Sequence, residues 1–286
     1  MKKIFYTLFP LFAFASCATN YNIQGTSNVS SLDGQKLYLK TTQADTLVEI
    51  DSCDVIHGKF AFHGNLDSVK VVHIYMDNIN LQFPIVLEEG DINVRLDDTQ
   101  QSVSGTPLND KLNEFWTQFT RIRNQYMELD HQESTAIMNG QDETVVNERL
   151  IKKALEVYAH GDKLFTNFVL DNFDNILSSW GFFTRVTYDT TPDAYPIWMN
   201  DYLYVNAISQ LPAWVEYIMT KAPESFKNAP DIKRFYKNFQ QAQSEMNGMA
   251  SPQGTHPHAA DAPMGNSSIA PPTPAQLAGD SVASQQ

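Results

Sequence analysis

Few side chains in this sequence stand in arrangements that could do chemistry. His57, His63 and His73 fall in one alternating segment, where two can share a strand face, but their spacing matches no metal-ligand signature. The acid pairs Glu88-Glu89 and Asp97-Asp98 would suit general acid and base work only if both members faced one substrate. Neighbours on a strand point to opposite faces, so the pairs are expected in solvated turns. His256-Pro257-His258 offers two imidazoles without a third ligand. Gly-x-Ser-x-Gly, phosphate-loop and dinucleotide fingerprints are absent, which removes the main supports for a serine hydrolase, a nucleotide hydrolase or a dehydrogenase. No catalytic, cofactor or metal residue is therefore assigned, and the chain is read as a non-enzyme. Of the two cysteines, Cys17 and Cys53, neither belongs to a Cys-x-x-Cys pair, so the chain lacks a dithiol redox centre of its own. Cys53, in Ile50-Asp51-Ser52-Cys53-Asp54, reads as a small residue at a strand edge.

Cys17 belongs to a different context. Met1-Lys2-Lys3 is a short basic segment, and Ile4 to Ala15 is an apolar run of about a dozen residues, the layout of a signal peptide. The run is too short to span about 30 Å of hydrocarbon, and Pro10 and the polar Thr19-Asn20 prevent its extension. It ends in Phe14-Ala15-Ser16-Cys17, which resembles the lipobox of bacterial lipoproteins, although Phe14 replaces the usual Leu. That resemblance implies that residues 1–16 are removed and that Cys17 becomes a new N-terminus carrying acyl chains such as palmitate. Residues 17–20 would then be a lipidated linker, and the protein would sit in the cell envelope, on the outer membrane facing the periplasm, rather than in the cytoplasm. An ordinary Ala-x-Ala site at Ala13-Phe14-Ala15 is also present, and cleavage there would leave Cys17 as an unacylated thiol.

Loss of Lys2 and Lys3 takes the formal charge from −13 to −15, which disfavours nucleic acid and anionic membrane surfaces as partners. An aromatic content of 12% is ample for hydrophobic cores in the roughly 230 residues that can be ordered. From Ser251 the chain is rich in Pro, Ala, Ser, Gly and Gln, with two aspartates as its only charges. Such a segment buries too little apolar surface to offset an ordering cost of roughly 1–2 kcal/mol per residue, so residues 250–286 are expected to be a disordered tail.

The elements that would position any site fall into two kinds. From Tyr21 to Gly105 apolar residues alternate in short runs: 21–25, 35–40, 45–51, 59–63, 69–75, 81–88 and 91–96. Leu37 with Leu39, and Phe60 with Phe62, mark inward faces, while His57-Gly58 and Glu89-Gly90 mark turns. Seven or eight strands at this spacing predict an antiparallel sandwich or barrel over residues 21–105. At Thr106-Pro107 the period changes. Leu112, Phe115, Phe119, Ile122, Tyr126 and Leu129 recur at three and four, so a long helix begins there with Thr106 as its cap. A second helix is predicted over 142–172, with Gly161 as its weak point, then shorter ones over 177–188, 195–209, 214–219 and 229–246, broken by prolines that include Pro212. The fold class is therefore α+β, a β-sandwich followed by a helical domain over 106–249.

Gly34-Gln35-Lys36-Leu37-Tyr38-Leu39, Asp51-Ser52, Gly58-Lys59-Phe60-Ala61-Phe62-His63-Gly64, Glu88-Glu89-Gly90 and Ser104-Gly105-Thr106-Pro107-Leu108-Asn109 together resemble an uncharacterised N-terminal β-domain of Bacteroidetes lipoproteins. In that family the β-domain and a helical segment often precede a thioredoxin-like oxidoreductase domain; no such domain follows Met246 here, so its redox activity is not carried over. Asp45-Thr46-Leu47, Asp67-Ser68-Val69, Asp189-Thr190-Thr191 and Asp280-Ser281-Val282 resemble O-glycosylation acceptors of exported proteins from the same phylum, and Ser281, in the tail, is the most accessible. The leading expectation is a non-catalytic envelope lipoprotein whose β-domain or helices bind another envelope protein or a small ligand. The rival is an accessory to periplasmic thiol-disulfide exchange acting through Cys53.

Overall fold

The computed structural model describes residues 20–43, 46–76, 81–191 and 194–249. Residues 1–19, with Cys17 and the expected signal segment, and residues 250–286, with His256, His258, Ser281 and the expected tail, lie outside these residues. Two compact units divide between Lys111 and Leu112.

Among its described residues the first unit holds eight strands: β1 (Asn20–Thr26), β2 (Lys36–Gln43), β3 (Thr46–Asp54), β4 (Lys59–Asn65), β5 (Lys70–Met76), β6 (Leu81–Leu87), β7 (Gly90–Leu96) and β8 (Gln101–Ser104). They form two four-stranded sheets, ordered β4-β1-β7-β8 and β3-β2-β5-β6. The alternation predicts the buried faces. Tyr21 and Ile23, Leu37 and Leu39, Phe60 and Phe62, Val72 and Ile74, and Ile92, Val94 and Leu96 are all buried. The eight strands agree with the seven or eight expected, although one lies outside the seven runs, and one pairing departs from the expectation. β8 is an additional strand whose Gln-Ser-Val-Ser buries Val103 alone, too little alternation to announce itself. Also, β1 pairs with β7 in parallel, Tyr21 opposite Gly90, so the first sheet is mixed rather than antiparallel. Alternation reports which face a side chain takes and is silent on strand direction.

Between β3 and β4 the chain reverses at His57-Gly58, both with positive φ (51° and 67°), while Ile56 and Lys59 pair across the turn. This is the two-residue geometry whose twist matches the flanking strands, and the glycine takes it without steric cost.

Among the described residues six α-helices follow: α1 (Pro107–Met138), α2 (Glu143–Asp171), α3 (Ile176–Thr190), α4 (Asn200–Lys221), α5 (Glu224–Lys227) and α6 (Pro230–Met249), with a 3-10 turn at Ile197–Met199 before α4. The predicted α1 stripe from Leu112 to Leu129 is buried throughout. Asp142 caps α2, accepting from the Val145 N–H at 3.1 Å, and Asn175 caps α3 through Leu177. Where two helices were expected around Pro212, α4 is continuous. Its buried residues Leu203, Ala207, Leu211, Trp214, Val215 and Ile218 keep one face in register across the proline, and that packing outweighs the single backbone bond Pro212 cannot make. Within the helical unit one apolar cluster joins α3, α4 and α6 around Phe182 and Phe235, and another joins α1, α2 and α4 around Leu150 and Leu203. Among the described residues no helix is long and apolar enough to cross a membrane.

Candidate functional site

The most polar interior of the helical unit surrounds Arg185. This arginine lies on α3, is 1% exposed, and packs against the rings of Trp214, Phe165 and Tyr158, with its guanidinium carbon 5.1–5.6 Å from their centroids. Its Nε donates to Asp189 Oδ2 at 2.5 Å, one helical turn on, and its Nη2 donates to Tyr158 Oη at 2.9 Å and Asp162 Oδ1 at 3.0 Å on α2. Trp214 is itself fixed by donating from Nε1 to Thr166 Oγ1. A buried charge requires such partners, since desolvation costs several kcal/mol per ion. Burial works against the Arg185 charge, but the neighbouring Asp189, Tyr158 and Asp162 outweigh it and hold the guanidinium more firmly protonated than usual. Burial pushes the Tyr195 and Tyr126 phenols far above their ordinary value, and raises Tyr188 to about 12. These tyrosines are therefore neutral hydrogen-bonding groups and not acids.

A cavity of about 10 Å³ lies among Phe119, Tyr126, Tyr158, Arg185, Asp189 and Tyr195. Drug-sized ligands need roughly 300–1,000 Å³, so this space does not receive a substrate in its present form. From sequence alone Arg185 has no assigned role and Asp189 only a place in a candidate glycosylation acceptor. The signal was there: charges spaced i, i+4 fall on the same helical stripe as Leu177, Ser178 and Phe182, all of them buried. Asp189 and Thr190 are both buried, which removes Asp189-Thr190-Thr191 as an accessible glycosylation acceptor. Thr46 and Ser68 are exposed.

In the β-unit the acid pairs divide. Glu89 is exposed, but Glu88 is buried, and the expectation of a solvated turn is overturned for it. Its Oε1 accepts from the Leu108 and Asn109 backbone N–H groups at 2.8 and 3.1 Å, so a carboxylate ending β6 caps the first turn of α1. Asn109 completes the joint. Its Oδ1 accepts from Val86 N at 2.9 Å, and its Nδ2 donates to Val86 O and Thr106 Oγ1, each at 2.8 Å. The side-chain amide thus pairs with an edge residue of β6 as a neighbouring strand would. Gly105 precedes this joint with φ +103°, and a Cβ there would lie 2.4 Å from Asp91 O. Asp97 is likewise not fully solvated: its carboxylate pairs with Arg95 and accepts from Asn28 N at 3.2 Å.

The three histidines are not brought together. His57 is in the turn, His63 is exposed on β4, and His73 lies on β5 in the other sheet. Among the described residues no three His, Cys, Asp or Glu side chains converge to hold a metal. Desolvation holds the His73 imidazole down to about 4. Cys53 is half-buried on β3 as a free thiol, and burial, only partly countered by the Ala61 backbone N–H, lifts it to about 11. Such a thiol is a poor nucleophile at neutral pH.

Strand β3 differs from its neighbours. Among the described residues it is an edge strand paired with β2 alone, and Ile50 stands in a bulge opposite Leu39 and Lys40. Thr46 to Ile50 are exposed on both faces, with Leu47, Val48 and Ile50 at 46%, 36% and 37%.

The first unit is thus a two-sheet β-domain that ends in a helix capped by its own Glu88 and Asn109. Residues 21–112 match the family model for a domain of unknown function, DUF4369, which covers the strands and the start of α1. Two of the five segments that carry the resemblance, around Glu88 and around Thr106 to Asn109, meet at this joint. No curated protein and no solved structure matches the chain.

Proposed function

We propose that this chain is a non-catalytic lipoprotein of the cell envelope, in which lipid on Cys17 tethers a binding or scaffold module. The tether rests on Phe14-Ala15-Ser16-Cys17 behind a basic and apolar leader. The observation that carries the binding role is the exposed apolar half of β3. An edge strand with Leu47, Val48 and Ile50 in solvent presents unpaired backbone groups beside apolar side chains, the combination by which sheets recruit a further chain. The polar cluster at Arg185 satisfies most of its charge internally, and its cavity is far smaller than a ligand pocket, which leaves it a structural role.

The test has two arms. A fatty-acid analogue fed to the producing cells labels the wild type and not Cys17→Ala; labelling of Cys17→Ala removes the tether. A photo-crosslinker at Val48 yields a defined adduct in envelopes, whereas one at the exposed Met127 of α1 does not; equal behaviour at both positions removes β3 as the binding surface.

A further inference from the structure

The cavity beside Arg185 carries two unmet hydrogen bonds. Arg185 Nη1 and Tyr195 Oη are both buried without a protein partner, and both residues line this same space. An unmade bond to a buried polar group costs about 1–3 kcal/mol, and more for a charged one, so two on one wall would be a large penalty in a domain whose total stability is of order 5–15 kcal/mol.

We propose that this cavity is a binding site for one water molecule, which bridges Arg185 on α3 to Tyr195 in the connection leading to α4. A volume of about 10 Å³ is at the threshold for a single water and leaves no room for a larger guest. Charge excludes an anion. The guanidinium is already matched by Asp189 and Asp162, so a negative guest would add a third negative charge against one positive. A cation is excluded because Arg185, which lines the space, is itself positively charged and carries donors only. Water fits both sides. It would accept from Arg185 Nη1 and exchange a hydrogen bond with Tyr195 Oη, and Asp189 also lines the space. Buried waters typically make two to four such bonds. Bound there, the water ties the Tyr195 segment to α3, which is in turn held to α2 by the Arg185–Asp162 and Arg185–Tyr158 bonds.

A crystal structure of the full chain at better than about 1.5 Å tests this directly. The expected result is one water peak at hydrogen-bonding distance, about 2.7–3.2 Å, from both Arg185 Nη1 and Tyr195 Oη. In Tyr195→Phe that water is lost or displaced. A dry cavity, a direct protein bond to Arg185 Nη1, density larger than water, or a water unmoved by Tyr195→Phe overturns the proposal. If the variant does not fold, nuclear Overhauser transfer from a long-lived water to the wild-type Tyr195 ring supplies the second measurement, and its absence counts against the site.

Discussion

Replacing Asn109 with alanine deletes a side chain that is fully buried and bonded to Val86 N, Val86 O and Thr106 Oγ1. The backbone of Val86 then keeps a buried N–H and a buried C=O with no partner. At about 1–3 kcal/mol for each unmet group, the expected loss is about 3–5 kcal/mol. Asn109→Asp separates this account from simple cavity formation. The aspartate can still accept from Val86 N, but it loses the donor to Val86 O and sets a second carboxylate where Asn109 Nδ2 now stands 3.5 Å from Glu88 Oε1. Its destabilisation relative to wild type should therefore be larger at pH 7 than at pH 4, where a protonated carboxyl donates and the repulsion disappears. Fluorescence is the wrong probe, because the four tryptophans, Trp116, Trp180, Trp198 and Trp214, all lie beyond Leu112 in the other unit. Native-state hydrogen exchange at the Val86 amide reads the joint itself. A loss under about 1 kcal/mol in Asn109→Ala, or an Asn109→Asp penalty unchanged between the two pH values, refutes the reasoning.

Asp189→Asn leaves the Arg185 guanidinium buried without its closest counter-charge and should cost about 3–5 kcal/mol in denaturant unfolding, whereas the double variant Arg185→Met/Asp189→Leu should be more stable than that single change. The opposite order would show that the pair is not the source of the loss. Gly161→Ala places a Cβ 3.7 Å from Ile122 Cγ2, an ordinary contact, in the middle of α2, and should raise stability by about 0.5–1 kcal/mol; a lower melting temperature would contradict this. His73 binds its proton near pH 4 when folded and near pH 6.5 when unfolded, so its contribution is complete above pH 6.5 and is lost as pH falls towards 4. The loss is at most about 3 kcal/mol, and His73→Gln should flatten that part of the stability profile. A Cys53 thiol lifted from 9.0 to about 11 should alkylate about 100-fold more slowly than a free thiol at pH 7; labelling at the free-thiol rate would revive the thiol-exchange reading.

Much of this architecture is legible from alternation and helical period, because Leu37, Phe62 or Phe119 sits in the core whatever surrounds it. The less legible parts all depend on partners distant in sequence. Glu88 beside Glu89 shows that one of the two points inward, but only the arrival of Leu108 and Asn109, some 20 residues on, decides that the inward one is a cap. Arg185 is a charge on an apolar stripe, and its meaning comes from Asp162 and Tyr158 on another helix. Pro212 breaks helices by local rule, yet the packing of Trp214 and Val215 carries α4 past it. The parallel alignment of β1 with β7 leaves no trace in either strand.

That alignment has a kinetic side. Strand β1 acquires both its neighbours late. Its residues pair with β4 across roughly 40 positions and with β7 across 69 or so, as for Asn22 and Asp91, so this interior strand has no short hairpin to either of its neighbours. The β2–β3, β5–β6 and β7–β8 pairs are local and are expected to form first. Closing the longer loops costs entropy that only the finished sheet returns, so insertion of β1 is expected to limit the folding rate. With the anchor proposed at Cys17, the last piece to lock would be the segment nearest that anchor, and tension applied there would pull first on the strand that joined last.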